Sequence, residues 1–121
     1  MSSLLWGNNL TKNQPITQMP PISIKNSIGY NANNKVLMLW GRYTFKQYRY
    51  VANSDYLPPP KGFLLLGIYA GYPLKVKKQI VVFNLSINNL LNTKYRDYLN
   101  RFRYFTDEQG TDIKLKISTN F

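Results

Sequence analysis

The sequence predicts an all-β fold, an antiparallel up-and-down meander of five to six strands. Aromatic residues are abundant, since the 121 residues include ten Tyr, six Phe and two Trp, and these types favour pleated structure together with Ile and Val. Apolar and polar residues also alternate along several segments. Clusters of Asn, Asp, Gly and Pro lie between these segments. We therefore expect strands that carry apolar side chains on one face of a sheet.

The first strands are expected after the end of an earlier strand at residues 2–6. Between residues 22 and 30 every second position is apolar except Asn26, and Asn-Ala-Asn-Asn at 31–34 predicts a tight turn. The run 35–51 is expected to form the next strand, with Leu37, Leu39, Tyr43 and Phe45 on one parity. The apolar run 63–72 predicts a further strand, and 73–78 a short connection.

The last two strands have the clearest pattern. Apolar and polar residues alternate strictly over about nine or ten residues, the length that a tilted strand needs to cross a membrane. We expect one face to carry the apolar set Val81, Phe83, Leu85, Ile87, Ile113, Leu115 and Ile117. The opposite face should carry the polar set Asn84, Ser86, Asn88, Lys114 and Lys116.

The predicted connections alternate in length along the chain. Residues 7–20, 52–61 and 92–111 form long loops, whereas 31–34 and 73–78 are short. Outer-membrane barrels have short turns on one side and long loops on the other, so the meander is predicted to be an arc of a transmembrane β-barrel. Helical spacing of five large residues predicts a short helical turn in the last long loop, with a basic amphipathic helix as the alternative: Leu91, Tyr95, Tyr98, Phe102 and Phe105.

Composition argues against catalysis. The chain has no Cys and no His, and only five acidic residues, so it lacks thiolate ligands and the commonest general base. We predict no enzyme, no catalytic residues, no metal site and no cofactor. The net charge of +11 suits nucleic acid, an anionic membrane surface or an anion-attracting lumen. The cations are spread along the chain and alternate with apolar residues, as at 113–117.

Residues 88–101, Asn-Asn-Leu-Leu-Asn-Thr-Lys-Tyr-Arg-Asp-Tyr-Leu-Asn-Arg, resemble the penultimate-strand motif of TonB-dependent receptors. In that family an Asn-Leu-Phe-Asn type run is followed by Tyr and often by Arg-Asp. Residues 101–110 look like the last outer loop of Bacteroidetes-type members, although Gly-Thr-Asp at 110–112 stands where the family usually has Gly-Arg-Asn. The matching motif positions are Asn89, Leu90, Asn92, Tyr95, Arg96 and Asp97.

The C-terminal end also resembles the family. The sequence stops on Phe121, and with Ile117 and Leu115 it is similar to the aromatic-ended signal by which outer-membrane barrels are recognised for assembly. Residues 16–21 and 57–65 look like segments near the end of the barrel, so the resemblance covers most of the chain. Its specific part is the C-terminal third.

The resemblance implies that residues 1–121 are the C-terminal part of a barrel of about 22 strands, without its plug domain and most of its strands, and therefore a fragment. The sequence also lacks signal-peptide features at its start. The intact parent would import a scarce nutrient, such as a siderophore-bound metal, across the cell outer membrane. Implied partners are outer-membrane lipid and lipopolysaccharide, the barrel assembly machinery, a metal-chelate ligand and, through the missing plug, the energy-coupling TonB complex.

Individual residues have alternative roles. Arg101 and Arg103 are candidate outer-loop ligand contacts, with loop structure or lipopolysaccharide contact as the alternative, and residues 95–97 are expected to hold the root of that loop. Lys25, Lys114 and Lys116 are expected to face a watery lumen. Five aromatics are candidates for the membrane-interface girdle or for ordinary sheet packing: Trp6, Tyr30, Trp40, Tyr50 and Tyr72. The alternative function is a small soluble basic β-domain that binds nucleic acid.

Overall fold

The computed structural model describes residues 2–3 and 7–119, and within them the fold is all-β. The main sheet is an antiparallel meander in the order β1-β4-β5-β6-β7-β8, and β2 pairs with β3 in a small hairpin. In this part of the chain the sheet is not closed into a barrel. The elements are β1 (Ser2–Ser3), β2 (Asn8–Asn9), β3 (Gln14–Pro15), β4 (Ser23–Ala32), β5 (Lys35–Thr44), β6 (Phe63–Val76), β7 (Gln79–Asn88), a 3-10 helix (Arg101–Tyr104) and β8 (Asp112–Thr119).

The predicted all-β meander is confirmed, and so is the short helical turn in the last long loop. The alternative, an amphipathic helix through 91–105, does not form, because only Arg101–Tyr104 is helical there. The side chains of Phe102 and Phe105 lie exposed, so the helical spacing of these aromatics does not reflect a packed helix face.

Short and long connections alternate as expected. Asn33 and Asn34 join β4 to β5 with φ of 50° and 61°, the left-handed pair that a type I′ hairpin turn requires and that Asn tolerates. Lys77 (φ 53°) and Lys78 join β6 to β7. The connections 45–62 and 89–111 are long, and the segment before β4 contains the β2–β3 hairpin.

The turn predicted at 31–34 is only Asn33 and Asn34, since β4 runs to Ala32. Two further predicted bounds are wrong by more residues. The strand expected over 35–51 ends at Thr44, because the chain turns into a loop that the buried Gln47 fixes by donating its amide N–H to the Met19 carbonyl (2.7 Å). The short connection predicted at 73–78 is only the two lysines, since Pro73 is paired with Val82 inside β6.

The position of Pro73 has a physical reason. A Cβ on Gly71 would lie 3.7 Å from the Cβ of Val36, so Val36 is the neighbour of Gly71 across the β5–β6 pair. Pro73, two residues further on, therefore lies beyond the first residue of β5. Proline is tolerated there because a strand without a partner on one side needs no N–H donor on that side.

The chain divides into two compact units. The loop unit contains residues 1–25, 42–64 and 94–109, and the strand unit contains 26–41, 65–93 and 110–121. Among the described residues, the buried apolar side chains are Met19, Pro59, Phe63 and Leu65. The first three belong to the loop unit and only Leu65 to the strand unit, so the strands have very little apolar core of their own.

Strand register in the strand unit confirms the predicted facing of β7 and β8. Phe83 is opposite Ile117, Leu85 opposite Leu115 and Ile87 opposite Ile113. Neighbours directly across an antiparallel pair project to the same side of a sheet, so these residues lie on one face. Lys114 is opposite Ser86 and Lys116 opposite Asn84, which puts the polar set on the other face.

Close packing extends the two faces to β5. A Cβ on Gly67 would lie 2.3 Å from the Trp40 ring, so Trp40 lies against β6 on the side of Gly67, Tyr69 and Gly71. Tyr69 donates its hydroxyl to Asn84 Oδ1 (2.8 Å), which identifies this side as the polar face. Leu37 and Leu39, of opposite parity to Trp40, therefore lie on the apolar face. A Cβ on Gly29 would lie 3.9 Å from the Cβ of Met38, which shares the parity of Trp40, so Ile28 and Tyr30 of β4 lie on the apolar face too. In β6, Tyr72 is opposite Phe83 and Leu74 is opposite Val81, which adds both to this face.

Side chains on the apolar face of the described strands are largely exposed. The exposed fraction is 74% for Ile28, 65% for Ile113, 62% for Leu115 and 58% for Ile117. Further exposed members are Tyr30, Leu37, Leu39, Tyr72 and Leu74. A contiguous apolar surface on a protein normally marks contact with another protein or with lipid.

Candidate functional site

The motif at 88–101 begins with a hydrogen-bonded turn that ends β7. Asn89 is 4% exposed, and its side chain accepts from the Thr93 N–H (2.8 Å) and donates to the Thr93 carbonyl (2.9 Å). Asn92 donates its backbone N–H to the Asn89 carbonyl (2.9 Å). Asn89 and Asn92 have φ of 51° and 49°, the left-handed conformation for which Asn is among the best non-glycine residues.

The same asparagines join this turn to the segment before β8. The Thr111 hydroxyl donates to the Asn89 carbonyl (2.9 Å), and the Thr111 N–H donates to Asn92 Oδ1 (3.2 Å). A Cβ on Gly110 would lie 2.5 Å from that same oxygen, so the approach depends on glycine. Leu90 donates its N–H to the Leu66 carbonyl (2.9 Å). These contacts hold together the two ends of the last long loop.

Tyr95 and Arg96 bind residues of the loop unit. The ring of Tyr95 packs on that of Phe63 with centroids 4.4 Å apart, and its carbonyl accepts from the Glu108 N–H (2.9 Å). Burial raises the pKa of the Tyr95 hydroxyl, and the Glu108 carboxylate adds to that effect. Arg96 pairs with Asp107 (2.6 Å) and donates to the Arg103 carbonyl (2.9 Å).

Asp97 and Asn100 start the 3-10 helix. The Asp97 carboxylate accepts from the Leu99 N–H (3.0 Å), and its carbonyl accepts from the Asn100 N–H (3.2 Å). The Asn100 side chain caps the helix by accepting from the Phe102 N–H (2.9 Å), as short polar side chains do at helix starts. These three bonds each join residues two or three positions apart, and together they shape the start of the helix.

A buried arginine organises the rest of the loop unit. Arg103 is 4% exposed, and its guanidinium pairs with the Asp55 carboxylate. The guanidinium also lies over the rings of Tyr98 (4.9 Å) and Tyr104 (4.8 Å) and donates to the Pro58 carbonyl (3.5 Å). The Tyr104 hydroxyl donates to Asp55. This Arg103 cluster joins the loop 45–62 to the loop 89–111.

The cluster changes the acidity of its members. Partial burial raises the pKa of Asp55, but hydrogen bonds from the Tyr104 hydroxyl and the Tyr56 N–H and the charge of Arg103 together outweigh burial, so the pKa of Asp55 lies below its ordinary value. Burial raises the pKa of the Tyr98 hydroxyl, and the Asp55 carboxylate adds to it. Asp55 is therefore ionised at neutral pH and Tyr98 is neutral.

A cleft of about 840 Å³ lies beside the Arg103 cluster within the loop unit. Its aromatic lining consists of Tyr56, Tyr98, Tyr104 and Phe105, and its charged lining of Asp55 and Arg101. Tyr104 contacts Tyr56 (5.8 Å between centroids) and Phe105 (6.4 Å) edge to face, an arrangement that aromatic pairs prefer. The remaining lining residues are Thr17, Gln18, Ser54 and Leu57.

The structure separates the two arginines that the sequence paired as ligand contacts. Arg101 is exposed and lines the cleft, whereas Arg103 is buried in its ion pair and presents almost no surface to a ligand. Leu115 and Ile117 lie on the exposed apolar face, while Phe121 and Trp6 fall outside the described residues. Trp40 packs against Gly67 on the polar face, so it belongs with the alternative reading, ordinary sheet packing.

Sequence reasoning missed the partners of Arg103. Asp55 is 48 residues away along the chain and sits among turn residues, so no spacing links the two. Gln47, which reaches Met19 over 28 residues, was hidden in a run that looks like a strand. The one signal for Asp55 was its isolation, since the other four acidic residues follow residue 96.

Among the described residues, no group of three or more His, Cys, Asp or Glu side chains could hold a metal ion. No helix in the same part of the chain is long and apolar enough to span a membrane. Comparison of the chain with models of protein families, with curated proteins and with solved structures finds no match.

Proposed function

We propose that this chain forms an arc of the wall of a transmembrane β-barrel in the outer membrane, of the kind found at the C-terminal end of TonB-dependent receptors. The observation that carries the proposal is the exposed apolar face of the strand unit. Alternate residues of neighbouring strands are apolar and exposed there, while Asn84, Ser86, Lys114 and Lys116 occupy the opposite face. Lipid-facing and lumen-facing side chains alternate in this way in such barrels.

Strand length and aromatic positions support the membrane assignment. β4, β5 and β7 have ten residues each, and a tilted membrane-crossing strand needs about 9–11. Tyr30 and Tyr72 lie on the apolar face near the two-residue turns, and Lys35 Nζ lies 4.7 Å from the centre of the Tyr72 ring. Tyrosine and lysine at this position suit the boundary between lipid and headgroups.

The long loops support an outward-facing role. The two-residue turns lie at the periplasmic end of the strands, and the loops 45–62 and 89–111 lie outside the cell, where the Arg103 cluster orders them. The parent receptor imports a scarce nutrient, such as a siderophore-bound metal, and its outer loops contact lipopolysaccharide. Residues from Leu115 onward take part in recognition by the barrel assembly machinery.

Sedimentation of the purified chain tests the membrane assignment. An uncovered apolar face and open strand edges promote association, so we expect aggregates in plain buffer and a single species in a non-ionic detergent. The variant Ile113→Thr/Leu115→Thr/Ile117→Thr should gain solubility in buffer. The matched variant Lys114→Thr/Lys116→Thr/Ser118→Thr changes the opposite face of β8 and should still require detergent.

A monodisperse wild-type monomer in plain buffer, with a cooperative melt, would overturn the membrane assignment. Saturable binding of a single-stranded oligonucleotide by that monomer would favour the soluble nucleic-acid-binding domain instead. Equal solubility of the two triple variants would also contradict the proposal, because it would mean that the apolar face does not determine association.

Uptake tests the claim that the chain is an arc. Unpaired backbone groups in hydrocarbon cost several kcal/mol each, so an open sheet cannot line a pore. Expression of these 121 residues in a strain that lacks its siderophore receptors should not restore uptake of the iron-loaded siderophore. Restored uptake without a partner fragment would contradict the proposal.

A further inference from the structure

The cleft beside the Arg103 cluster has a structured wall. Asp55 and Tyr104, which line it, contact Arg103, and Arg103 is itself buried with its guanidinium over the rings of Tyr98 and Tyr104. Side chains fixed by such contacts lose little freedom when a ligand binds, and this favours affinity. The cleft volume of about 840 Å³ lies within the range of small-molecule sites, roughly 300–1,000 Å³.

The charge that the cleft offers is positive. Its one lining carboxylate, Asp55, is neutralised by Arg103. Arg101 is exposed at the same cleft and has no ion-pair partner among the described residues. A planar guanidinium with free N–H donors binds carboxylate, sulfonate or phosphate oxygens, often through two hydrogen bonds at once.

Two aromatic side chains of the cleft lining are highly exposed. Tyr56 is 93% exposed and Phe105 83%, although both contact Tyr104 edge to face. Their outer faces are free to stack on a flat ring, which would cover apolar surface that now contacts water. Thr17, Gln18 and Ser54 add polar groups at the same cleft.

We infer that this cleft binds a small organic anion that carries a flat aromatic ring, with the anionic group on Arg101 and the ring against Tyr56 and Phe105. The inference goes beyond the proposed barrel function and does not depend on it, since every lining residue belongs to the loop unit. Arg101 is thereby the residue that contacts the ligand. Arg103 does not contact it, but holds the lining residues Asp55 and Tyr104 in place.

Titration of the full chain in non-ionic detergent tests the inference, with naphthalene-2-sulfonate as the probe and isothermal calorimetry as the readout. We expect saturable binding that Arg101→Gln weakens about tenfold or more, as loss of a charge-assisted hydrogen bond does. Arg101→Lys should retain part of the affinity. Lys12→Gln, which removes an exposed cation of the loop unit outside the cleft, should bind like the wild type. Tyr56→Ser/Phe105→Ser should also weaken binding.

Comparison probes separate the two halves of the ligand. Methanesulfonate, which has no ring, and 2-naphthalenemethanol, which has no charge, should each bind at least about tenfold more weakly than naphthalene-2-sulfonate. Absence of saturable wild-type binding, or equal binding by Arg101→Gln and Lys12→Gln, would overturn the inference. Its failure would leave the detergent dependence of the triple variants unchanged, so the two proposals are tested separately.

Discussion

The strand unit and the loop unit are stabilised in different ways. The strand unit has alternating faces, two-residue turns and a regular register, but it buries only one apolar side chain, Leu65, among its described residues. The loop unit has little regular structure, yet it contains the buried side chains of Met19, Thr44, Gln47, Phe63 and Arg103. Strands with an exposed apolar face need contact with another apolar surface for stability. The loops instead are stabilised by buried polar side chains of their own.

The largest expected effect of a single substitution is at Arg103. Arg103→Leu removes the guanidinium and leaves the Asp55 carboxylate without its charge partner. Breaking a buried pair costs about 3–5 kcal/mol. Because Asp55 is partly exposed, we expect a cost at the lower end, about 3 kcal/mol, in the free energy of local unfolding of the loop unit, called its opening free energy below. Hydrogen exchange of loop-unit amides, in detergent, measures this free energy.

Two controls give that prediction its specificity. Arg101→Leu changes an exposed arginine two residues away and should alter the opening free energy by less than about 0.5 kcal/mol. In an Asp55→Asn background, Arg103→Leu should cost less than in the wild type, because no buried charge is left unpaired. Equal effects of Arg103→Leu and Arg101→Leu would refute the organising role of the cluster.

A smaller effect is expected in the strand unit at Gly67. In Gly67→Ala the new methyl group would lie 2.3–2.5 Å from the Trp40 ring, and such overpacking costs about 1–3 kcal/mol of unfolding free energy. Gly29→Ala is the matched control, because the nearest atom to its Cβ is 3.6 Å away. Detergent-solubilised variants can be compared by thermal unfolding followed by circular dichroism.

Fluorescence adds a second readout for Gly67. In a Trp6→Phe background Trp40 is the remaining tryptophan, so its emission reports on the displaced ring. A shifted emission in Gly67→Ala but not in Gly29→Ala is expected. Unchanged emission together with unchanged stability would show that Trp40 does not pack on Gly67.

The smallest effect is the pH dependence of the loop unit. The pKa of Asp55 is about 3.8 in the unfolded chain and lower in the folded chain. At a pH above the unfolded pKa the ionised carboxylate therefore stabilises the fold, and this stabilisation is lost as the pH falls through the folded pKa. The difference in opening free energy between the wild type and Asp55→Asn should therefore shrink below about pH 4. A difference that grows on acidification would have the wrong sign.

The sequence predicted the strand unit better than the loop unit, for a physical reason. Alternation with a period of two is local, so the facing of Leu115 and Lys116 can be read from neighbouring residues. Pro73 was misread because whether a strand tolerates proline depends on where the adjacent strand begins. Trp40 is an apolar residue of β5 on the polar face. Its position is explained by Gly67 on the neighbouring strand, which leaves room for the Trp40 ring.

The loop unit depends on contacts between residues far apart in sequence. The pairs Arg103–Asp55 and Gln47–Met19 have no spacing rule, so neither was predicted. The motif at 89–97 was found through its resemblance to a family. Its asparagines bind near neighbours, as in the Asn89–Thr93 bonds, and also the distant Thr111, which no local pattern predicts. The cleft was missed because its walls come from three separate segments of the chain.

The most direct test of the membrane assignment uses two adjacent residues of β8 that project to opposite faces. The chain contains no cysteine, so Leu115→Cys and Lys116→Cys each provide a single site for an environment-sensitive fluorophore. The labelled chains are placed in lipid–detergent micelles that contain a nitroxide quencher on the acyl chain. Strong quenching at 115 and weak quenching at 116 is the expected result, because the proposal puts only the apolar face in contact with lipid. Equal quenching at the two positions, or none at either, would contradict the assignment.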